Sequence, residues 1–426
     1  MDAGVGEVKS KLRQIVREVD LRAGHRDLPL LSVSIHSGVV PRSSLTDDLP
    51  RAEDLSNYKC SAKSDLVLNR MRAFQGDIGI SPEDGLVSPD YLVLRSVSAE
   101  PRYLSHLFRS DWFVGEMTSR IRGIGSVDLG SARTPRINAS DLLDIEVDLP
   151  DSRAEQRRIA DFLDDQVARI ENIVAAREKQ LDALEALRLN VSFAALSGST
   201  GSGERKDSGL PWLGTIPMAW PMSTVHSAFE VVLGKMLDES RFSGEYATPY
   251  LRNTNVQWNH IHVDDLKVMD IPPSEYDRFT VRSGDLLICE GGQPGRSAVW
   301  RGGITPLGFQ KALHRARPRG DCDVRWLQVF LRVAVGLSVF ASEFGQSTIS
   351  HLTGEQLRSA RIPIPPAAVQ VSLCNQVEDG SALIDAAQLD LRRSIDLQVE
   401  LKRSLITSAV TGKFDVSSSD GSRVPV

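Results

Sequence analysis

Two long stretches of the chain place hydrophobic side chains at alternating four- and three-residue steps, one after Asp151-Ser152 and one after Gln370. This spacing is the a/d seam of a coiled-coil-like helix, and Asp-Ser is a typical N-cap. Each helix alone would leave an apolar stripe in water, so we predict that the two pack against each other, antiparallel if a two-fold relates them. Arg177 and Arg188 interrupt the first seam. The predicted pairing positions are Leu163, Val167, Ile170, Val174, Leu181, Leu184, Val377, Ile384, Leu391 and Ile395.

The chain repeats itself. From Gln156 and Gln370 onward the two helical stretches align without a gap, so that Ile170 meets Ile384 and Gly198 meets Gly412. A period of about 200 residues is too long for a solenoid and indicates a duplicated domain. The alternative is two unrelated core helices.

The repeat extends upstream of the helices. The segment 63–68 aligns with 283–288, and Arg102-Tyr103-Leu104 aligns with Arg325-Trp326-Leu327. Short β-type runs such as Leu66–Asn69 and Leu286–Cys289 lie between clusters of glycine, proline and aspartate, and helical periodicity follows them. The prediction is an α+β fold in which two domains of duplicated fold are separated by two long antiparallel coiled-coil-like helices.

We divide the chain into six consecutive parts: a first globular domain, a spacer helix, a linker with the entry to the second half (flexible over 199–209, ordered from Leu210), a second globular domain, a second spacer helix and a tail. Their bounds are 1–150, 151–198, 199–222, 223–366, 367–412 and 413–426.

Composition narrows the class of protein. Hydrophobic residues make up 41% and charged residues 25% of the 426 residues, which is typical of globular domains. No apolar run approaches the ~20 residues that span a bilayer, so we expect no membrane segment. The four cysteines are far apart, which fits a reducing cytoplasm.

The chain lacks the motifs of nucleotide-using enzymes. It has no G-x-x-x-x-G-K-[ST] segment, and the glycine-rich stretch Gly291–Gly295 fits a loop. The adenine methyltransferase loop has no counterpart, since Ile271–Ser274 lacks the polar first residue and the aromatic.

Metal chemistry is also poorly supported. Asp285 and Glu290 have the spacing of a metal-dependent nuclease, but Gly292 stands where the lysine would be. His260 and His262 have no third ligand nearby in sequence. We therefore predict no catalytic residues, no metal site and no enzyme activity of the chain by itself.

A local basic segment suggests DNA binding despite the net charge of −6. Residues 291–320 contain six arginines and lysines and no acid, although a solvated basic face would look the same. Asparagine and glutamine can read adenine, and arginine can read guanine. The candidate DNA-binding residues are Asn69, Arg70, Arg72, Gln75, Asn253, Asn255, Gln257, Gln293, Arg296, Arg301, Gln310, Lys311 and His314.

The candidates in the two halves align but differ in type, which suits recognition of two different half-sites. A helix of ~43 residues is about 65 Å long. Domains at its ends would lie roughly one to two turns of duplex apart. We predict a split target with an unread gap.

Five segments resemble the specificity subunits of type I restriction–modification systems. Gly209–Trp220 resembles the start of a target-recognition domain, Gln156–Asp164 the start of the spacer helix, and Val410–Val416 the closing segment. Leu30–Ser34 and Gly38–Arg42 resemble the opening of a first recognition domain. The first half lacks the Trp-Leu-Gly…Ile-Pro…Trp pattern before residue 28.

The resemblance implies a role. The two globular domains would be target-recognition domains that bind both halves of a split sequence in double-stranded DNA. The helices would recruit two copies of a methyltransferase subunit and, with them, the restriction/translocase subunits of a phage-defence system. The chain itself would hold no cofactor, and S-adenosylmethionine, ATP and Mg would be bound by the partner subunits.

Three alternatives stay open at this point. The chain could be the recognition subunit of another split-site restriction or phage-defence complex, or a helical scaffold that does not bind DNA. The third is an undetected nuclease that uses Asp285 or Glu290.

Overall fold

The computed structural model describes residues 7–34, 38–46, 54–121, 136–237, 242–340, 351–414 and 416. The chain forms two compact units. Unit 1 comprises residues 1–177 and 392–426, and unit 2 comprises residues 178–391.

In the part of unit 1 that the structure describes, ten short strands combine with four short helices. The strands β1 to β10 are Glu7–Lys11, Val16–Glu18, Leu31–Ser34, Gly38–Pro41, Lys59–Ser61, Leu66–Asn69, Ile78–Ile80, Gly85–Val87, Tyr91–Ser96 and Glu146–Pro150. The helices α1 to α4 are Leu12–Ile15, Pro101–Arg109, Asp111–Ser119 and Ala139–Leu143. The main sheet has the order β2-β9-β6-β7, and β1-β10, β3-β4 and β5-β8 form antiparallel pairs. The long helix α5, Arg153–Ser197, begins in unit 1 and ends in unit 2.

The described residues of unit 2 form thirteen strands, four short helices and part of a second long helix. The strands β11 to β23 are Arg205–Asp207, Thr215–Pro217, Met222–Thr224, Phe229–Leu233, Ala247–Leu251, Val256–Gln257, His260–Ile261, Lys267–Asp270, Leu286–Cys289, Ser297–Val299, Gly308–Phe309, Leu313–Pro318 and Arg361–Pro363. The helices α6 to α9 are Val225–Ala228, Tyr276–Phe279, Val324–Gly336 and Gly354–Ser359. The long helix α10, Ala367–Val410, begins in unit 2 and ends in unit 1.

The two units share a topology. The sheet β14-β22-β19-β20 of unit 2 repeats the order of β2-β9-β6-β7, and the pair β13-β23 repeats β1-β10. The hairpin register is also the same, with Leu66 opposite Ile80 and Leu286 opposite Val299. The predicted α+β class and the duplication are therefore confirmed.

The central strand of each main sheet is a continuous apolar run. All four residues of β6 and of β19 are buried, as expected for a strand covered on both faces. An aspartate precedes each strand, Asp65 and Asp285, after a residue with positive φ (Ser64, 72°; Gly284, 92°). The same tight turn thus starts the same strand in both units.

The long helices pair antiparallel. In unit 2, Gln388 donates to Glu185 over 3.4 Å and Arg188 donates to Asp385 over 2.6 Å. Residue numbers therefore rise along α5 as they fall along α10, which confirms the predicted antiparallel orientation. In unit 1, Lys402 lies 3.3 Å from Glu171.

None of the ten predicted pairing positions is exposed. Leu163, Ile170, Val377 and Ile384 are buried. The half-buried positions are Val167, Val174, Leu181, Leu184, Leu391 and Ile395.

Arg188, which interrupts the sequence pattern, is 4% exposed and links the helices. Its guanidinium reaches Asp385, the carbonyl of Ser381 and the side chain of Gln388.

Part of the predicted flexible stretch 199–209 is ordered, so that prediction is wrong for Arg205–Asp207. Strand β11 pairs with β12, and Arg205 donates to the carbonyls of Ser197 and Gly198 at the end of α5. Most of the predicted tail, residues 415 and 417–426, lies outside the described residues. Within the described ranges, no helix combines the length and apolarity that crossing a bilayer requires.

Candidate nucleic-acid interface

The strongest sequence candidates lie in the loop of one hairpin in each unit. In unit 1 the loop joins β6 to β7, and in unit 2 it joins β19 to β20. The register places Ile78 and Ser297 at equivalent positions, so Asp77 and Arg296, which precede them, are also equivalent. One scaffold therefore carries opposite charges at one position.

In unit 1 the loop exposes Arg72 and Gln75. The Nε of Arg72 donates to Gln75 Oε1 over 3.1 Å, which holds both side chains at the surface. Arg70 is half-buried, and its Nε donates to the carbonyl of Ile137 over 3.0 Å. Arg72 and Gln75 are thus the accessible candidates of this loop.

The prediction that Asn69 contacts DNA is wrong, because its side chain is buried. Its side chain is 7% exposed, donates to Asp77 Oδ2 over 2.9 Å and accepts from the backbone N–H of Met71. It closes the base of the hairpin from inside and cannot reach a base in this conformation.

Asp77 lies beneath the loop at 1% exposure. Burial raises the pKa of its carboxyl, and the hydrogen bond from Asn69 offsets only part of that shift. Burial also raises the pKa of the Tyr91 hydroxyl, with Asp77 adding to the effect. Among the described residues, Asp77 Oδ1 has no hydrogen-bond partner.

In unit 2, Asn253 and Arg296 fasten the corresponding loop. Asn253 Nδ2 donates to the carbonyl of Gly291 over 2.7 Å, and Arg296 Nη2 donates to Asn253 Oδ1 over 2.9 Å. Both side chains are half-buried, whereas Gln293 at the tip is exposed.

Gly292 and Gly295 of this loop have positive φ values, which favour glycine. Gly295 has φ 87°, and a Cβ there would lie 2.6 Å from Val335 Cγ2. The loop therefore lies close against α8.

The prediction of DNA contact is also wrong for Asn255 and His314, because both side chains lie in the interior of unit 2. Asn255 is 1% exposed, donates to Asp265 and accepts from the N–H of Arg252. His314 is 0% exposed, and its Nε2 lies 2.9 Å from the carbonyl of Leu352. Burial lowers the pKa of His314, which favours the neutral ring.

The remaining candidates of unit 2 are accessible to different degrees. Gln257 and Gln310 are half-buried and Lys311 is exposed. Arg301 is exposed, but it lies 3.3 Å from Glu378 of α10. An exposed pair of this kind is weak, so Arg301 can exchange partners.

The basic segment 291–320 is less basic at its surface than its sequence suggests. Arg315 is 1% exposed and donates to the carbonyls of Asp277, Arg278 and Thr280. Arg317 forms two hydrogen bonds with Asp285, of 2.7 and 2.8 Å. These two arginines stabilise the fold and do not offer charge to a ligand.

The pair with Arg317 also gives Asp285, one of the two acids with nuclease-like spacing, a structural role. Asp285 is 2% exposed, and unit 1 has the same pair, with Arg95 donating to Asp65 twice over 2.7 Å. In the described part of the chain no three His, Cys, Asp or Glu side chains form a metal-binding group.

His260 and His262 pack their rings edge to face at 4.4 Å at the surface.

Each globular domain is fastened to its spacer helix by a glutamine that was not among the residues singled out from the sequence. Gln156 accepts from the N–H of Glu100 and donates to the carbonyl of Pro150, both over 2.8 Å. Gln370 accepts from the N–H of Asp323 over 2.9 Å and donates to the carbonyl of Pro365 over 2.7 Å. We call each arrangement a glutamine latch.

An arginine clamp accompanies each latch. Arg102 of α2 reaches Asp161 (2.7 Å) and Asp164 (2.9 Å) of α5. Arg325 of α8 reaches Asn375 and Glu378 of α10, both over 2.8 Å. The signal was present in the alignment, which pairs Arg102 with Arg325 and Gln156 with Gln370.

The chain thus combines two α+β domains of one topology, each latched to one of two long helices that pair antiparallel. No protein-family model matches the chain. It is 21% identical to the type I restriction enzyme EcoKI specificity subunit of Escherichia coli (strain K12) over 343 residues, which is 78% of this chain and 68% of that protein.

Two solved structures share the fold. One, from a study of complex assembly and conformational transition of the type I R-M system, has a TM-score of 0.72 and 16% identity, over 96% of this chain and 98% of that chain. The HsdS subunit from Thermoanaerobacter tengcongensis has a TM-score of 0.51 and 18% identity, over 96% and 97% of the two chains. The resemblance of the sequence to type I specificity subunits is thereby confirmed.

Proposed function

We propose that this chain reads a bipartite DNA target for a type I restriction–modification complex, with unit 1 reading one half-site and unit 2 the other. The observation that carries the proposal is a contrast between scaffold and loops. The latch, the clamp and the buried Asp–Arg pair recur in both units, whereas the hairpin loops differ.

The contrast has a physical meaning. A shared scaffold keeps each loop at the same place relative to its own spacer helix. Different side chains there, Arg72 and Gln75 in one loop and Gln293 in the other, offer different hydrogen-bond patterns to base edges. Two unlike half-sites are the target such a pair would read.

Recruitment of catalytic partners belongs to the same proposal. Each unit presents one stretch of α5 and one of α10 in the same antiparallel pairing, so two copies of a methyltransferase subunit would find equivalent helix pairs. The restriction/translocase subunits would join through them. S-adenosylmethionine, ATP and Mg would be bound by those partners.

The net charge of −6 shapes the expected binding. Few exposed cations lie in the hairpin loops, so the chain alone should bind DNA weakly. In the assembled complex the partners would supply further phosphate contacts, which give affinity without sequence information.

The test is DNA binding by the chain assembled with its methyltransferase subunits, measured against salt on a randomised duplex library. We expect the complex to select a split motif and Arg72→Gln to reduce the slope of log K against log salt by about one. Lys9→Gln, at an exposed position that pairs with Glu146 over 3.7 Å on the β1-β10 ribbon, is the matched control and should leave the slope unchanged.

The helical scaffold is the contrasting outcome. Partner subunits would then bind the chain with full affinity, yet the complex would select no motif and show no salt-dependent binding to the library. That result would end the proposal.

A further inference from the structure

The tip of hairpin β16-β17 in unit 2 is held from behind by helix α8. The guanidinium of Arg332 lies over the ring of Trp258 at 4.4 Å. Gln328 donates to Asn259 Oδ1 over 3.0 Å and to the carbonyl of Ser297 over 2.8 Å, and Arg332 also reaches Asn259 Oδ1 at 3.4 Å. Asn259 has a φ of 62°, in the left-handed region that asparagine adopts more readily than most other non-glycine residues.

The same arginine faces a cavity of about 350 Å³ where four elements of unit 2 meet. Its lining includes Trp258 from the hairpin, Gln293 from the glycine-rich loop and Glu185 from α5. Burial lowers the pKa of Arg332 to about 10, with Arg188 adding to the effect, so the side chain is still charged at neutral pH. A charged, desolvated guanidinium over an indole is a strong cation–π contact.

Helix α8 carries a second anchor on the same face. Arg325 lies seven residues before Arg332, a spacing that brings two side chains to one side of a helix, and it clamps Asn375 and Glu378 of α10. One face of α8 thus contacts the spacer helix near its start and, near its end, hairpin β16-β17, which carries the candidate Gln257.

Unit 1 repeats the arrangement on α2. Arg102 clamps α5, and Arg109, seven residues later, lines a cavity of about 280 Å³. The guanidinium of Arg109 reaches β4, since a Cβ on Gly38 would lie 3.7 Å from its Nη2, and Gly38 itself packs against Gly79 of β7. Arg109 thus occupies on α2 the position that Arg332 occupies on α8, and it lies behind hairpin β6-β7, whereas Arg332 lies behind hairpin β16-β17.

We propose that Arg332 and Arg109 are positioning residues, Arg332 behind hairpin β16-β17 with its candidate Gln257 and Arg109 behind hairpin β6-β7, so that each sets the selectivity at one half-site without contacting DNA. This rests on the proposed DNA-reading function and adds specificity determinants that lie behind the reading surface.

The test is half-site selectivity of the assembled complex on a duplex library randomised at both half-sites. Arg332→Met is expected to lower discrimination at the second half-site about tenfold and to leave the first unchanged, whereas Arg109→Met does the reverse. Trp258→Ala should behave like Arg332→Met, and Trp258→Phe should restore selectivity because it keeps an aromatic face. Arg278→Met, which removes a 5.0 Å contact with Phe279 elsewhere in unit 2, is the control and should change neither half-site.

Thermal unfolding of each complex accompanies the selection. Arg332→Lys keeps the positive charge and serves as a second variant in case Arg332→Met does not fold. It should retain part of the selectivity at the second half-site. Unchanged second-half selectivity in a folded Arg332→Met complex, or equal relaxation at both half-sites, would overturn the inference while leaving bipartite reading intact. A wild-type complex that selects no motif would instead overturn the proposed function, and the inference with it.

Discussion

Side chains at equivalent positions of the two units fall into a constant group and a divergent group. Asp65 and Asp285 belong to the first group, since each is 2% exposed and forms two hydrogen bonds with one arginine. Asp77 and Arg296 belong to the second group, because the same hairpin position carries opposite charges. Constant residues hold the domain together, and divergent residues are where specificity can differ.

The first prediction concerns the buried pair of unit 2. Asp285→Ala leaves Arg317 without its partner in a largely buried place, so it should lower the free energy of unfolding by about 3 kcal/mol. The control is Arg282→Ala, which removes the exposed pair with Asp277 (2.5 Å) and should cost less than about 1 kcal/mol. Chemical denaturation of both variants checks this, and equal stability would show that the pair does not matter to the fold.

The second prediction is a pH dependence at Asp77. Its pKa is raised in the folded protein above the ordinary value of 3.8, so the folded state holds its proton longer than the unfolded state. Ionisation therefore costs stability as the pH rises above about 4, and below that value the cost is absent. Asp77→Asn cannot ionise, so its unfolding midpoint should gain on the wild type as the pH rises from about 4. A constant difference across pH would contradict the assignment.

Residue type identified polar side chains in the hairpin loops. It did not show which of them are exposed to solvent. Asn69, Asn255 and His314 have suitable chemistry for DNA, yet each is satisfied by a group distant in sequence: Asp77, Asp265 and Leu352. Accessibility is a property of the folded neighbourhood, so no local pattern reports it.

Among the elements, the long helices were the most predictable. Their seam and gap-free repeat are regular patterns, and the antiparallel pairing follows from burying two apolar stripes together. The ordered strand β11 was missed because serine and glycine dominate its surroundings, while its partner β12 lies further along the chain and Arg205 bonds back to the end of α5. Arg188 was taken as a flaw in the seam, although it links the two helices.

The third prediction tests that link. Arg188→Met removes hydrogen bonds of a charged group at a site 4% exposed, so it should destabilise the chain by about 2 kcal/mol. The aligned residue of unit 1, Lys402, is 28% exposed in its pair with Glu171, and Lys402→Met should cost less than about 1 kcal/mol. Urea denaturation compares the two. Equal losses of unfolding free energy in the two variants would mean that the hydrogen bonds of Arg188 add no stability.

For the molecule as a whole, duplication with divergence is the central feature. It could be read from the sequence, since the repeat covers strands, clamp and helices alike. What the sequence lacked was the joint between domain and helix: Gln156 and Gln370 aligned, but their roles depend on backbone groups of Glu100 and Asp323 brought to them by folding.

The fourth prediction is independence of the two halves in recognition. Gln75→Ala removes an exposed amide from the loop of unit 1 and should change base preference at one half-site only. Gln293→Ala should do the same at the other half-site, with a discrimination loss of about tenfold at the affected position. Selection from a randomised duplex library by the assembled complex measures both. A change at both half-sites from either variant would contradict one-unit, one-half-site reading.

The most direct measurement of the central claim is the adenine methylation pattern of the host genome with and without this gene, with the partner methyltransferase shown to be expressed. Bipartite reading predicts that deletion abolishes methylation at one split motif, two short half-sites around an unread gap, and leaves other motifs untouched. An unchanged methylation pattern would contradict the account and favour a helical scaffold without a role in DNA recognition.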